Sequence, residues 1–328
     1  MKLKYAFCSV AALSLVLAGC SSTAGTPSGS GSPGAAGKTI GLISFSGTDP
    51  SANLTLASAK KAAEDAGYKT IVVDANGQVD QANTAMQNLI QRGVAGIAIT
   101  VFPVDALAAG LQSTIAAGVP VVTAGGGTGQ GVAVNVDDSQ GETVTRALIK
   151  DAKPGGQALT LTYLGGRPCQ LRLASFDATV KAEAPELKVT RQAVTVPGQV
   201  ESATSATLAW LAAHPKGSAP SFSIYACFDD PALGAVAALK QTNRTDVTVY
   251  SFNGVAPALA AIKEGSMTGS LWLDQVKVGQ TLTQVLDESI KAGGKVTETK
   301  VVPAPSVFVT ADNYDSFVAE HPDALKVG

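Results

Sequence analysis

The chain has 328 residues, which is enough for two domains. Hydrophobic residues make up 45% and charged residues 15%, a balance that is typical of globular proteins and excludes wholesale disorder. The net charge is −2 and the chain has no basic tract, so nucleic acid is excluded as a partner.

The N-terminus has the pattern of a secretory signal. Lys2 and Lys4 precede an apolar stretch over residues 5–18, which is too short to span a membrane. The stretch ends in Leu-Ala-Gly-Cys20, which resembles the bacterial lipobox, where the cysteine receives lipid and becomes the first residue. We therefore expect a lipoprotein signal peptide at 1–19 and an extracytoplasmic protein anchored to the bacterial cell membrane through Cys20. The alternative is ordinary signal cleavage beside a chance cysteine.

The segment that follows is low in complexity. Residues 20–38 consist almost wholly of Ser, Gly, Thr, Pro and Ala. Such a composition cannot bury a hydrophobic core. We expect this segment to act as a flexible tether between the lipid and the folded part.

Apolar strands alternate with helical patterns from Lys38 onward. Helices are predicted over residues 53–66 and 80–92 and from about Asp105, where apolar residues recur at helical spacing. The strands of this first set are KTIGLIS, KTIVVDA, VAGIAITV, VPVVTA and VAVNV. Continuous apolar runs are typical of strands covered by helices on both faces. The pattern predicts a doubly wound parallel sheet.

A second set of the same design starts near Gln157. Helices predicted over residues 202–213 and 257–264 lie between strands of sequence QALTLTYL, KVTRQAVT, SFSIYACF, VTVYSFN and MTGSLWL. Two such sets predict an α/β fold with two doubly wound parallel-sheet lobes. Ligands of open α/β sheets bind beyond the carboxyl ends of the strands. Two lobes whose strand ends face each other would therefore form an interlobe ligand cleft.

A series of segments resembles one known family. The segments are Ile40–Tyr68, VPVVTAGG, VDDSQGE, CFDDPALGAVAAL, VYSFNG and LDQVKVG. In this order and spacing they resemble the ribose-binding-protein family of periplasmic sugar receptors, the type I periplasmic binding proteins, over essentially Thr39 to Pro303. The resemblance implies two lobes joined by a multi-strand hinge. It assigns 39–136 and 273–300 to the first lobe, and 137–272 and 301–328, with a hinge-side tail, to the second.

The resemblance also implies a function. Proteins of this kind bind a small solute by clamshell closure and deliver it to the permease and ATPase subunits of an ABC importer. Closure is a population shift, because the ligand touches both lobes only in the closed form. By this resemblance we expect a monomeric substrate-binding protein that needs no cofactor or metal.

The family's ligand positions are largely changed in this chain. The polar residue and the two stacking aromatics of the first loop correspond to Asp49, Ser51 and Ala52. An arginine of the first lobe corresponds to Gly126, which removes a bidentate donor. In the second lobe, a ligand arginine corresponds to Gln170, an asparagine to Phe228 and an aspartate to Asn253. The scaffold is kept and the pocket chemistry is not, so ribose itself is not the expected ligand.

Aromatic side chains appear instead at the ends of predicted strands. They are Phe45, Phe102, Tyr163, Phe228 and Trp272. Flat rings stack on the C–H face of sugars and exclude water, although each ring has core packing as its alternative. These rings favour a small sugar or polyol other than ribose as the ligand.

Carboxylates also lie at the predicted cleft edge. Asp49, Asp137, Asp229 and Asp274 are assigned either to the ligand or to the capping of turns. Asp230 precedes Pro231 and is expected to cap the following helix. If several aspartates face the ligand and no arginine answers them, the pocket is acidic and disfavours anionic solutes.

Two cysteines remain after the signal and the lipid site. Cys169 and Cys227 follow the first and third strands of the second lobe, which are neighbours in this winding order. In a compartment that permits disulfides, we expect a bond between them that braces the pocket wall. The alternative is a pair of buried thiols.

Other functions fit the sequence less well. A carbohydrate-active enzyme needs two opposed carboxyl groups, whereas Asp229 and Asp230 are adjacent at a helix start. No nucleophile elbow, phosphate loop or histidine pair at metal spacing is present. A solute-sensing receptor for a membrane signalling partner stays open as an alternative, because docking surfaces look alike in sequence.

Overall fold

The computed structural model describes residues 38–326. The predicted signal peptide, the lipid site at Cys20 and the tether up to residue 37 lie outside the described residues. Among residues 38–326, no helix combines the length and apolar character that crossing a membrane requires.

Strands and helices alternate along the described chain, as the sequence pattern predicts. The strands are β1 (Thr39–Ser44), β2 (Lys69–Asp74), β3 (Gly96–Thr100), β4 (Val121–Ala124), β5 (Val132–Asp137), β6 (Gln157–Thr162), β7 (Lys188–Ala193), β8 (Phe222–Ala226), β9 (Val247–Asn253), β10 (Gly269–Leu273), β11 (Lys300–Pro303) and β12 (Ser306–Thr310). The helices are α1 (Pro50–Asp65), α2 (Val79–Gln91), α3 (Ala108–Ala117), α4 (Gly141–Asp151), α5 (Arg167–Glu183), α6 (Gln199–Ala213), α7 (Asp229–Gln241), α8 (Ala256–Lys263), α9 (Gln275–Lys291) and α10 (Tyr314–Glu320).

Two sheets form the two lobes. The first sheet has the order β11-β5-β4-β3-β1-β2, and all its strands are parallel. The second has the order β12-β10-β9-β8-β6-β7, in which β12 is antiparallel to β10. The inner strands β3 and β8 are buried along their whole length, whereas the edge strands β2 and β7 contain only exposed or half-buried residues. The predicted fold class, with two doubly wound α/β lobes, is confirmed.

Within residues 38–326 the chain passes between the lobes three times. The crossings follow β5, β10 and β11, and hydrogen bonds hold them side by side. The amide of Ala304 donates to the carbonyl of Asp137 at 2.8 Å, and the amide of Asp274 donates to that of Pro305 at 2.9 Å. Because β11 pairs with β5, the first lobe runs to Pro303 rather than ending at residue 300 as the sequence suggests.

Close helix packing places two helix starts beside the cleft. Helices α1 and α9 approach so closely that a Cβ atom on Gly279 would lie 2.3 Å from the carbonyl oxygen of Thr55. Thr283 adds a hydrogen bond from its hydroxyl to the carbonyl of Ala59 at 2.9 Å. The first turn of α1 and the first residue of α9, Gln275, are thereby held together at the carboxyl edge of the first sheet.

Candidate ligand-binding cleft

A cleft lies between the carboxyl ends of the two sheets. It holds about 530 Å³ of space free of protein atoms, including its open mouth. The first lobe contributes residues from α1, α9, β3, β4 and the segment after β1, and the second contributes residues from α5 and the ends of β6, β8 and β9. Of the ligand-binding residues predicted from the sequence, those that line it are Phe45, Asp49, Ser51, Tyr163, Phe228 and Asn253.

Aromatic rings from both lobes form the apolar part of the cleft. Phe45 of the first lobe meets the edge of Tyr163 of the second, with ring centroids 5.7 Å apart. Phe228 follows β8 and is buried. Rings offered from both sides suit a solute that has C–H faces.

Asp49 brings a carboxylate from the first lobe. Its Oδ1 accepts hydrogen bonds from the amides of Ser51 at 3.0 Å and Ala52 at 3.1 Å and so caps α1. Burial, with a smaller contribution from the nearby charge of Asp230, raises the pKa of Asp49. These hydrogen bonds and the attraction of Arg172 oppose the rise, and the resulting pKa is about 6. Because Oδ1 takes both amide bonds, Oδ2 is left available to accept a hydrogen bond from a solute.

Asp138, in the first crossing, brings a second carboxylate. Its Oδ1 is buried and has no hydrogen-bond partner among the described residues. Burial is the main cause of its raised pKa, which Arg172 lowers in part. A buried acceptor without a partner costs free energy that a ligand donor recovers.

Arg172 is the buried cation of the cleft, with a side chain only 2% exposed. Its Nε and Nη2 donate to the carbonyl of Asp138 at 3.2 and 2.7 Å. Its Nη1 donates to the carbonyl of Cys227 at 2.7 Å and to Oδ1 of Asn253 at 3.3 Å. Most of its donors are therefore used by the protein, which leaves little for an anionic ligand.

Further polar groups line the first-lobe side. The hydroxyl of Thr100, at the end of β3, is buried without a partner among the described residues. Gln275 donates from Nε2 to the hydroxyl of Ser51 at 2.7 Å and accepts a hydrogen bond from the hydroxyl of Thr55. Thr100 thus offers a free hydroxyl, whereas Ser51 is already engaged with Gln275.

Four residues singled out from the sequence lie beside the cleft without lining it. Phe102 is fully buried behind Phe45, with ring centroids 5.0 Å apart. Gly126 lies so close to Phe102 that a Cβ atom there would be 2.8 Å from its carbonyl oxygen. Asp137 bonds the amide of Ser139, and its neighbour Asp138 lines the cleft instead. Asp229 is 1% exposed and points into the second lobe.

Gln170 and Arg172 show how a two-residue offset decides a ligand position. Gln170 is exposed, and its amide donates to the carbonyl of Leu164 at 2.6 Å. Residues two apart on a helix point to nearly opposite sides. Arg172 therefore lines the cleft where Gln170 was expected to do so.

Trp272 and Asp274 border a second cavity, which holds about 1520 Å³ of open space. Trp272 packs against Phe317 and His321 of the C-terminal tail, with ring centroids 5.2 and 4.5 Å away. Asp274 caps α9 by accepting from the amide of Lys277 at 2.8 Å. Neither residue reaches the cleft.

The prediction that Asp230 caps α7 is wrong. The helix already begins at Asp229, and its N-terminus has no side-chain cap. Asp230 instead accepts a hydrogen bond from Nε2 of Gln199 at 2.8 Å. Asp229 accepts from the amide of Val255 at 2.8 Å and from the hydroxyls of Ser270, also at 2.8 Å, and Ser251. These two carboxylates organise neighbouring elements within the second lobe.

The buried carboxyl group of Asp229 makes the unfolding free energy depend on pH. Burial raises its pKa from 3.8 to about 7, so its contribution is fully present below pH 4 and is lost as pH rises through 7. Over pH 5 to 8 this amounts to roughly 3 kcal/mol of unfolding free energy. We expect Asp229→Asn to flatten that dependence, measured by urea unfolding at several pH values. Asp80→Asn, at an exposed carboxylate, is the control; equal pH profiles for Asp229→Asn and the unsubstituted protein would contradict the assignment.

Cys169 and Cys227 form a disulfide bond. Strands β6 and β8 are hydrogen-bonded neighbours, as the winding order indicated. Cys169 lies in the first turn of α5 and lines the cleft, and Cys227 directly follows β8. The bond therefore joins two elements of the cleft wall.

Two α/β lobes, three crossings within the described residues and a cleft between strand ends define a two-lobed solute-binding protein. A model of the periplasmic binding protein domain matches residues 40–295. The chain belongs to the periplasmic binding protein family.

Individual relatives agree with this assignment. The ribose import binding protein RbsB of Bacillus subtilis (strain 168) is 28% identical over 248 residues, which are 74% of this chain and 78% of that protein. An ABC transporter solute-binding protein of Mycobacterium smegmatis with bound glycerol is 27% identical, with a TM-score of 0.74 over 86% of this chain and 96% of that one. One from Agrobacterium vitis with bound allitol shares the fold at 20% identity, with a TM-score of 0.77 over 86% and 98%.

Proposed function

We propose that this protein binds a small neutral sugar or polyol in the interlobe cleft and delivers it to an ABC permease. One observation carries the proposal. The cleft combines aromatic rings from both lobes with polar atoms that lack a partner in the described chain, the hydroxyl of Thr100 and Oδ1 of Asp138. A polyhydroxylated solute offers C–H faces to the rings and hydroxyl groups to these atoms.

The charges of the cleft favour a neutral solute. Asp49 and Asp138 face it from the first lobe and the first crossing, while the guanidinium of Arg172 is bonded to protein oxygens. A phosphate or carboxylate would be buried beside two carboxyl groups, and Arg172, the cation among the described lining residues, has few donors left. Hydroxyl groups can instead donate to both.

The relatives support the same ligand class. The curated relative is a ribose import binding protein, and the two structural neighbours hold glycerol and allitol. All three are solute-binding proteins. Substrate binding without catalysis is therefore the role that we propose for this chain.

Membrane anchoring completes the proposal. The signal pattern and Cys20 would attach the protein by lipid to the outer side of the cell membrane, and the tether would let the lobes reach a permease. Metabolic labelling with a radioactive fatty acid tests this step. Label on the unsubstituted protein and none on Cys20→Ala is the expected result; equal label on both would reject it.

The ligand class is tested by a thermal-shift screen followed by calorimetric titration. We expect stabilisation by one or a few neutral sugars or polyols and none by their phosphates or acids. Stabilisation by anionic sugars alone would overturn the proposed class.

Thr100→Val tests the cleft itself. The change removes a buried hydroxyl that has no protein partner, so stability is expected to stay equal or to rise by about 1 kcal/mol. Affinity for the solute is expected to fall about tenfold, because one ligand hydrogen bond is lost.

Thr160→Val is the matched control for this variant. Thr160 has an equally buried hydroxyl without a partner in the described chain, but it does not line the cleft. The affinity of Thr160→Val for the solute is expected to match that of the unsubstituted protein. Equal affinities in all three proteins would show that the solute does not bind at Thr100.

A further inference from the structure

We propose that Gln199 is a latch that holds the two lobes closed before any solute binds, and that it thereby sets the affinity of the cleft. Gln199 is the first residue of α6 in the second lobe and does not line the cleft. The closure part of this proposal stands on its own. The affinity part rests on the proposed function.

The side chain of Gln199 joins the two lobes directly. Its Nε2 donates to the carbonyl of Thr48 in the first lobe at 2.8 Å and to Oδ2 of Asp230 in the second at 2.8 Å. Gln199 is 4% exposed, so water competes little for these bonds.

The orientation of the amide is fixed by its partners. A carbonyl oxygen and a carboxylate oxygen both need a donor, so a flipped amide would place oxygen against oxygen. Oε1 of Gln199 is buried without a partner among the described residues. The amide nitrogen thus donates two hydrogen bonds, one to each lobe, while the amide oxygen stays unpaired.

The hydrogen bond from Gln199 to Thr48 holds the loop that carries a carboxylate of the cleft. Thr48 directly precedes Asp49, whose carboxylate lines the cleft and caps α1. Other hydrogen bonds also join the lobes at the rim: Tyr163 donates from its hydroxyl to the carbonyl of Gly77 at 3.3 Å, and the amide of Arg167 donates to the carbonyl of Val101 at 3.2 Å. Tyr163 and Val101 also line the cleft, whereas Gln199 acts from outside it.

Closure without solute changes affinity by a simple relation. The apparent dissociation constant equals the intrinsic one divided by the fraction of protein in the binding-competent form. A contact that favours the closed form raises that fraction without touching the ligand. Gln199 is therefore a positioning residue.

The proposal is tested by small-angle X-ray scattering of the solute-free protein. Gln199→Glu replaces the donor with a second carboxylate beside Asp230, so the radius of gyration is expected to increase. Gln192→Glu, which adds the same charge at an exposed position of β7, is expected to leave the radius unchanged. Gln199→Met, which removes the donor without adding charge, serves if the glutamate variant fails to fold.

Titration with a solute from the screen supplies the second readout. We expect Gln199→Glu to bind about tenfold more weakly than the unsubstituted protein, and the methionine variant about threefold more weakly. Equal scattering radii for the unsubstituted protein and both Gln199 variants would overturn the latch. A failed solute screen would count against the proposed function, and the scattering result would be unaffected by it.

Discussion

Replacing Arg172 with alanine is expected to lower the unfolding free energy by about 3–5 kcal/mol, a typical loss when one partner of a buried charged network is removed. The guanidinium lies 4.5 Å from the ring centre of Phe252 and bonds oxygens of Asp138, Cys227 and Asn253. Without it, these oxygens are buried with fewer donors, and the Asp138 carboxylate loses its nearby cation at 3.8 Å. Urea unfolding measures the loss, and solute binding is expected to disappear with it.

Arg146→Ala is the matched control for Arg172. Arg146 pairs with Glu142 and Glu183 on the surface, and its side chain is 56% exposed. Exposed pairs contribute at most about 1 kcal/mol. Arg172→Lys is expected to rescue little, because one ammonium group cannot reach three separate oxygens. If the unfolding free energy of Arg172→Ala lies within 1 kcal/mol of that of the unsubstituted protein, the hydrogen-bond network does not stabilise the fold as proposed.

Removing the disulfide is expected to cost about 4 kcal/mol of stability in a double variant, Cys169→Ala with Cys227→Ala. The bond joins residues 58 apart, and a loop of this length restricts the unfolded chain by about that amount. Solute affinity is also expected to fall, because the bond ties α5, which carries Arg172, to the end of β8 beside Phe228.

Chemical reduction supplies the control for the double variant. In the presence of a strong reductant, the unsubstituted protein is expected to have the same unfolding free energy as the double variant. The unfolding free energy of the double variant is expected to be the same with and without reductant. Unfolding in urea, with and without reductant, measures both. A loss below 1 kcal/mol on removing the bond would contradict the account of its role.

The sequence predicts the fold more fully than the site. Apolar runs that alternate with helical periods specify the strands, because the inner strands of a covered parallel sheet are apolar along their length. The strand-end rule likewise brings Phe45, Tyr163 and Phe228 to the carboxyl edge, where the structure has them. Thr100, the last residue of β3, also lies at a strand end. It was not predicted as a site residue because the prediction selected aromatic residues at such positions.

The remaining site residues depend on packing that a single sequence does not encode locally. Arg172 and Gln275 lie on helices, and which face of each helix meets the cleft depends on how the helix packs. Asp137 and Asp138 are neighbours, and Asp138 is the one that lines the cleft. Trp272 was expected in the cleft, but the C-terminal tail covers it.

The central claim is that a neutral polar solute lies between the lobes and contacts both. A crystal structure with the solute that gives the largest thermal stabilisation tests it most directly. We predict the solute between Asp49 and Thr100 on one side and Tyr163 and Phe228 on the other, with a hydrogen bond to Oδ1 of Asp138. A solute found in the cavity beside Trp272, or bound to a single lobe, would contradict the account.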